Sequence, residues 1–253
     1  DLNNHLDIGQ SFLDKHNLSY AIYHYQFYYN HSESQNQDIQ LFILKIFTEC
    51  GLVRLVDSVL KKLAFKKNEV FLIKGINLFN QKKWDEALIN FEQHLESDCT
   101  INNVDSIYYI IIILFRKKSY EKILHLIENK KTSIENQSIH HLVLDCIKKS
   151  ISHKEQQNLL DIYSQFSDSM ESIKNLNDRK YGLFLYYILI KLTQNHIGSE
   201  QAMDIQNEAI SLIKLCESAI SGFLLKQLFF KNPELHKMIM EPIELEFIDA
   251  EGI

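Results

Sequence analysis

The sequence predicts an all-α protein built from repeated pairs of antiparallel helices, and three observations support this. The 253 residues include only 7 Gly and 2 Pro, and no Asn-Gly or similar hairpin signal is present. Apolar residues instead recur at three- and four-residue spacing along most of the chain, the pattern of amphipathic helices. Compact apolar residues mark a repeat at Ala21, Val56, Ala87 and Ile123, in steps of 35, 31 and 36 residues. A period of about 34 residues is typical of arrays of helix pairs.

The clearest unit is residues 69–98, EVFLIKGINLFNQKKWDEALINFEQHLESD. Gly75 and Ala87 lack bulk, so we expect the two helices of the pair to approach closely at these positions. Phe91 is predicted to fill the wedge between them, and Trp84 opens the second helix.

A second clear unit lies upstream, in residues 6–30. Gly9, Phe12, Ala21 and Tyr25 stand in the same relative places. The same close helix contact is therefore predicted there.

Two weaker units complete the set, and their anchors are branched rather than small. We expect their helices to lie further apart or to repack. Their matching residues are Leu44, Phe47, Gly51 at the turn, Val56 and Leu60 in one unit, and Ile111, Leu114, Tyr120, Ile123 and Ile127 in the other.

These units resemble the tetratricopeptide (TPR) family, whose repeat places a Gly, a small residue and an aromatic at these spacings. The resemblance covers residues 2–137, about half of the chain, and no unit has the closing Pro of the family; Cys99 stands at that place in the third unit. It implies a right-handed α-α superhelix (a solenoid) in which each unit buries its apolar face against its neighbours.

The rest of the chain is predicted to be helical without the repeat signature. Residues 138–231 carry apolar stripes of helical spacing, including Ile205, Ala209 and Leu212, and should continue or cap the array as irregular pairs. Residues 232–253 contain both prolines and a run of acidic residues. We expect this tail to be only partly ordered.

Composition argues against several functions. The net charge is −6 and only three residues are arginines, whereas nucleic-acid binding needs a basic face. The apolar runs are shorter than the ~20 residues of a membrane helix, so neither nucleic acid nor membrane is an expected partner. The four cysteines are too widely spaced for a CxxC site; reduced thiols and the lack of a signal peptide predict a cytoplasmic protein. The start at Asp1 suggests that a preceding segment was removed.

No enzymatic or cofactor-binding motif is present. HExxH, GxSxG and P-loop patterns are all missing, and the adjacent His140 and His141 would point about 100° apart on a helix. We therefore predict no enzyme activity, no metal and no cofactor.

The TPR resemblance implies a ligand groove lined by the first helix of each unit. The groove is predicted to be largely apolar and aromatic, with Lys45 and Arg116 as its charges. Its predicted residues are Phe42, Lys45, Leu72, Ile76, Phe79, Tyr108, Tyr109, Ile112, Phe115 and Arg116. Two interpretations stay open, because either a partner's peptide or helix fills this groove or the chain's own C-terminal half covers it. Chaperone-tail binding is not expected, since the family's clamp places hold Leu6, Gln10, Phe42, Glu69 and Ile73.

Three functional hypotheses follow. The first is a protein-interaction module that binds a protein or peptide in the groove. The second is a ligand-sensing regulatory domain, similar in architecture to peptide-pheromone regulators, whose DNA-binding part is absent; dimerisation through residues 180–231 would favour it. The third is an accessory repeat domain of a larger enzyme or effector.

Overall fold

The described part of the chain is entirely helical. The structure, a computed structural model, describes residues 2–14, 18–31, 36–62, 68–97, 104–131, 139–152, 156–171, 180–193, 204–205 and 207–212. These residues form helices and turns and contain no strand, which confirms the all-α prediction. The long helices are α1 (Leu2–Asp14), α2 (Leu18–His31), α3 (Gln37–Glu49), α4 (Val53–Lys62), α5 (Glu69–Asn80), α6 (Trp84–Ser97), α7 (Val104–Arg116), α8 (Tyr120–Lys131), α9 (Ile139–Ser152), α10 (Gln156–Glu171) and α11 (Gly182–Thr193).

The chain divides into two compact units. The first contains α1 to α4, and the second contains α5 to α11 with the helical residues at 204–205 and 207–212. The division lies between residues 65 and 66, so the predicted boundary at residue 137 falls inside the second unit. The predicted tail, residues 232–253, lies outside the described residues, as do residues 213–231.

A glycine allows close packing of α1 against α2 in the first unit. A Cβ placed on Gly9 would lie 2.9 Å from Cε1 of Tyr25, so a side chain at this position would require the Tyr25 ring to shift. Ala21 and Tyr25 are buried in this contact, and the Tyr25 hydroxyl donates to Oε1 of Gln10 at 3.3 Å. The packing is the one that the spacing of these residues predicts.

The turns after α3, α5 and α7 share one backbone geometry. The middle residue of each turn is left-handed, with φ of 73° at Gly51, 63° at Lys82 and 57° at Lys118. The following N–H donates to the carbonyl five residues back, the pattern of a Schellman motif. These bonds are Leu52 to Phe47 (3.0 Å), Lys83 to Leu78 (2.9 Å) and Ser119 to Leu114 (2.9 Å).

The repeated turns are in register with the anchors found in the sequence. Each left-handed residue precedes an anchor by five positions, and the anchors Val56, Ala87 and Ile123 are all fully buried. Three helix pairs therefore repeat one turn and one packing position, although the turn residue is Gly in one pair and Lys in two, and the anchor differs in all three.

The second unit is built around two enclosed helices, α7 and α11. Every described side chain from Ser106 to Phe115 is buried, as is each one from Leu183 to Ile190. Gly75 allows α5 to approach α6, because a Cβ there would lie 2.5 Å from the Phe91 ring. Phe91 in turn stacks on Tyr109 of α7, with ring centroids 5.1 Å apart.

Candidate functional site

Most of the predicted groove lies in the core of the second unit. Seven of the ten predicted contact residues are buried, so a partner cannot reach them in this structure. They are Leu72, Ile76, Phe79, Tyr108, Tyr109, Ile112 and Phe115. The structure therefore does not present these seven residues as an open surface; helical spacing identifies an apolar face without identifying what covers it.

Helix α11 supplies much of the cover over α7. Phe184 lies 4.9 Å from Tyr108 and 5.3 Å from Tyr109, measured between ring centroids. Tyr187 contacts Phe115 edge to face, at 6.1 Å. These contacts agree with the second interpretation of the groove, in which the C-terminal half of the chain covers it.

The other three predicted residues are exposed but differ in their surroundings. Arg116 lies over the Trp84 ring, with its guanidinium carbon 4.6 Å from the centroid, and donates to the Tyr187 hydroxyl at 3.3 Å. Such cation–π contacts contribute roughly 0.5–1 kcal/mol at exposed sites, so Arg116 has a structural role. Phe42 and Lys45 lie on α3, where the Phe42 ring meets the edge of Tyr25 at 5.7 Å.

A polar cluster joins the N-terminal ends of α7, α9 and α11. The Asp105 carboxylate accepts a hydrogen bond from Tyr181 at 2.8 Å and pairs with Lys180 at 3.4 Å. His140 packs against the Tyr181 ring, and burial raises the pKa of Tyr108 well above its usual value, with smaller contributions from Tyr181 and Asp105. The Asp105 carboxylate is paired with Lys180, and Tyr108 keeps its proton. This cluster is therefore a structural link between the three helices.

A second carboxylate, that of Glu208, joins α10 and α11 to the helical residues at 207–212. Its Oε1 accepts from Tyr163 at 2.7 Å and from Ser167 at 3.0 Å, and its Oε2 accepts from Tyr186 at 2.7 Å. Burial, followed by the hydrogen bond to Glu208, raises the pKa of both tyrosines. Three hydroxyl donors on one carboxylate fix these helices to one another.

The first unit carries a continuous line of aromatic and imidazole rings that the sequence analysis missed. It runs along α1 and α2 through ring contacts with centroid separations between 4.1 and 5.6 Å. We call it the ring strip; its members are, in order of contact, Tyr20, Phe12, His24, His5, Phe27 and His31, with Tyr23 edge-on to His24 at 5.3 Å.

The ring strip is partly open to solvent. Tyr20 is 58% exposed and Tyr23 is 50% exposed, while the rings of His5, Phe12, His24 and Phe27 are half-buried. A signal for it exists in the sequence, because Tyr20, His24, Phe27 and His31 follow one another at four- and three-residue spacing. That spacing places them on one face of α2, separate from the buried face of Ala21, Tyr25 and Tyr28.

Metal and thiol chemistry find no support in the part of the chain that the structure describes. No group of three or more His, Cys, Asp or Glu side chains there is placed to hold a metal ion. Neither Cys50 nor Cys146 forms a disulfide, and burial raises the pKa of the Cys146 thiol to about 11, which keeps it protonated and unreactive at neutral pH. Cys99, Cys216 and His16 lie outside the described residues.

None of the helices formed by the described residues has the length and apolar content needed to cross a membrane.

Comparisons with known proteins give no relative for this chain. No protein-family model matches it, no curated protein is significantly similar to it, and no solved structure matches its fold.

Proposed function

We propose that this chain is a protein-interaction module of TPR type that binds a segment of another protein through the ring strip. The observation that carries the proposal is the distribution of exposed apolar side chains. Among the described residues, four of the five large hydrophobic side chains that are exposed lie on α1, α2 or α3, and the fifth, Ile89, lies on α6. They are Ile8, Tyr20, Tyr23, Phe42 and Ile89.

Tyrosine-rich surfaces are suited to binding. A tyrosine offers a large rigid apolar ring and a hydroxyl that hydrogen-bonds, and it is enriched at the energetic centres of interfaces. Tyr20 and Tyr23 are held by contacts to Phe12 and His24, so little side-chain entropy would be lost when a partner covers them.

The repeated turn supports the TPR type. Arrays of helix pairs present residues along their helices as extended binding surfaces, and three turns of this chain share a left-handed residue five positions before a buried anchor. The proposed binding surface differs from the groove that the resemblance implies, because the groove residues of α5 and α7, apart from Arg116, are buried.

Selection from a displayed peptide library tests the proposal. Peptides selected on the wild-type chain are assayed by fluorescence anisotropy against a Tyr20→Ser, Tyr23→Ser double variant. We expect the double variant to weaken binding at least about tenfold, since each lost ring contact at an interface centre costs roughly 1–2 kcal/mol.

The matched control is Ile89→Ser, which removes an equally exposed apolar side chain from the second unit. Its affinity should equal that of the wild type, and Phe42→Ser separates binding on α3 from binding on the strip. The proposal is wrong if the folded wild-type chain selects no peptide, or if the double variant binds as well as Ile89→Ser.

A further inference from the structure

Two histidines in the ring strip form a direct imidazole contact. Nδ1 of His5, on α1, lies 2.9 Å from Nδ1 of His24, on α2. Both rings are half-buried, and neighbouring rings fix their planes: His5 stacks on Phe27 with centroids 4.1 Å apart, and His24 stacks on Phe12 at 5.6 Å.

A contact between two Nδ1 atoms needs one proton between them. With both rings neutral, one tautomer donates and the other accepts; with one ring charged, the imidazolium donates to the neutral ring. With both rings charged, each Nδ1 carries a hydrogen, so the bond cannot form and two positive charges face each other. The contact therefore tolerates the first added proton and is broken by the second.

We infer that the His5–His24 pair is an acid-sensitive contact, which joins α1 to α2 near neutral pH and releases them when it takes up a second proton. This inference does not depend on whether the ring strip binds a partner.

Among the charged and titratable groups that the structure describes near the pair, His5 is the one that shifts the pKa of His24. Helix α2 carries no Asp, Glu, Lys or Arg. Burial and then the nearby His5 lower the pKa of His24, and the described charges on α1 and α3 are not among the causes; these charges are Asp7, Asp38, Lys45 and Glu49.

The sign of the pH effect follows from that lowered pKa. The folded state binds fewer protons than the unfolded chain below the ordinary histidine pKa of about 6.5, so stability falls as pH falls through this region. The linkage for one proton is at most about a tenfold change in the opening equilibrium per pH unit.

His31 provides a control within the same helix pair. Its Nδ1 lies 2.9 Å from the carbonyl oxygen of Phe27, to which an imidazole N–H donates whether the ring is neutral or charged. Protonation of His31 therefore keeps its hydrogen bond, unlike protonation of the pair.

Hydrogen exchange read by mass spectrometry tests the inference on the whole chain. Protection of peptides from residues 2–31 is measured from pH 7 to pH 4.5, corrected for intrinsic exchange and divided by that of peptides from α10, which carries no histidine. In the wild type this ratio should fall by up to about tenfold per pH unit below the ordinary histidine pKa of about 6.5, because the opened pair takes up the second proton more readily than the closed pair. In His24→Gln it should stay constant, because the Gln side chain accepts from His5 in either charge state, and in His31→Gln it should fall as in the wild type.

A constant ratio in the wild type overturns the inference, as does an equal fall in His24→Gln. His5→Gln repeats the test from the other helix, so a folding defect in one variant does not decide the result. NMR titration of the wild type gives a second reading: the pKa of His24 should lie below the ordinary histidine value, because burial and the nearby His5 both lower it, and a His24 pKa that is not lowered would also contradict the inference.

Discussion

The helix pairs α1/α2 and α5/α6 use the same device, but their surroundings differ. In each pair a glycine faces an aromatic ring on the partner helix, Gly9 with Tyr25 and Gly75 with Phe91. The Phe91 ring is enclosed further by Tyr109 of α7, whereas the ring strip on α1/α2 stays half-open. The number of other helices that pack on a helix pair therefore determines whether its aromatic rings are buried or exposed.

Identical substitutions in the two regions give the largest expected contrast. Tyr109→Glu should unfold the second unit, because an unpaired carboxylate in a fully enclosed site costs several kcal/mol, about 4 or more when the lost ring is included. Tyr23→Glu, on the half-exposed strip, should change the free energy of unfolding by less than about 1 kcal/mol. Urea unfolding followed by circular dichroism measures both, and the lone tryptophan, Trp84, reports on the second unit.

A folded Tyr109→Glu variant with wild-type stability would break the comparison. It would mean that the face of α7 opens readily, and the groove that the TPR resemblance implies would again be available to a partner.

The Glu208 carboxylate and its three hydroxyl donors, which we call the Glu208 hub, give the next largest expected change in stability. This change is confined to the second unit. Glu208→Ala should destabilise it by about 2 kcal/mol, because the buried Tyr186 hydroxyl loses its acceptor. Glu208→Gln should cost less and should lower the pKa of Tyr163 and Tyr186, which the carboxylate helps to raise. Absorbance titration near 295 nm follows tyrosinate formation; Ser167→Ala is the control, since it removes a donor and keeps the carboxylate.

The pH dependence of this hub has a definite sign. Raised tyrosine pKa values mean that the folded state keeps its phenolic protons, so the contribution of these hydrogen bonds is fully present at neutral pH. It is lost as pH rises above the ordinary tyrosine pKa of about 10. A Glu208→Gln variant with an unchanged tyrosine titration would contradict this account.

How far the sequence predicts the molecule depends on whether an interaction is local. The contact of Gly75 with Phe91 and the burial of Ala87 follow from spacing within one helix pair, and the structure has them. The cover of Tyr109 by Phe184 joins residues 75 positions apart, and no periodicity encodes such a pairing. Seven of the ten predicted groove residues are buried in the structure, and the sequence alone left open whether a partner or the chain itself covers them.

The ring strip was missed for a different reason. Helix α2 carries aromatic residues on nearly every side, so its apolar pattern does not separate a core face from a surface face. The imidazole pair within it joins α1 to α2 across 19 residues, and its geometry depends on how closely Gly9 lets the helices approach.

Adding a methyl group at each of the two glycines should produce a smaller difference in the free energy of unfolding between the two helix pairs. Gly75→Ala should destabilise by up to about 2 kcal/mol, since overpacking a core costs about 1–3 kcal/mol and alanine's higher helix propensity offsets roughly 1 kcal/mol of this. Gly9→Ala should cost less, because the built Cβ lies 2.9 Å from its nearest ring atom instead of 2.5 Å. Adding Phe91→Leu to Gly75→Ala should recover part of the loss in a double-mutant cycle; equal losses at the two glycines would show that the distance from the added Cβ to the ring does not determine the cost.

The smallest expected effect tests the feature that the two units share, the left-handed turn residue. Gly51 holds this place without strain, whereas Lys82 and Lys118 adopt the same φ with a side chain. Lys82→Gly and Lys118→Gly should therefore each stabilise the second unit by about 0.5–1 kcal/mol. The left-handed conformation costs a non-glycine residue roughly 1–2 kcal/mol, and the larger conformational entropy of glycine in the unfolded chain offsets part of the gain. Gly51→Lys should destabilise the first unit by a similar amount, and Lys83→Gly, one position outside the left-handed place, is the matched control. Chemical denaturation measures the stability of all four variants. A Lys82→Gly variant less stable than the wild type would mean that the contacts of the lysine side chain stabilise the turn by more than the backbone strain destabilises it. The three turns would then share a backbone conformation but not the same energetic cost.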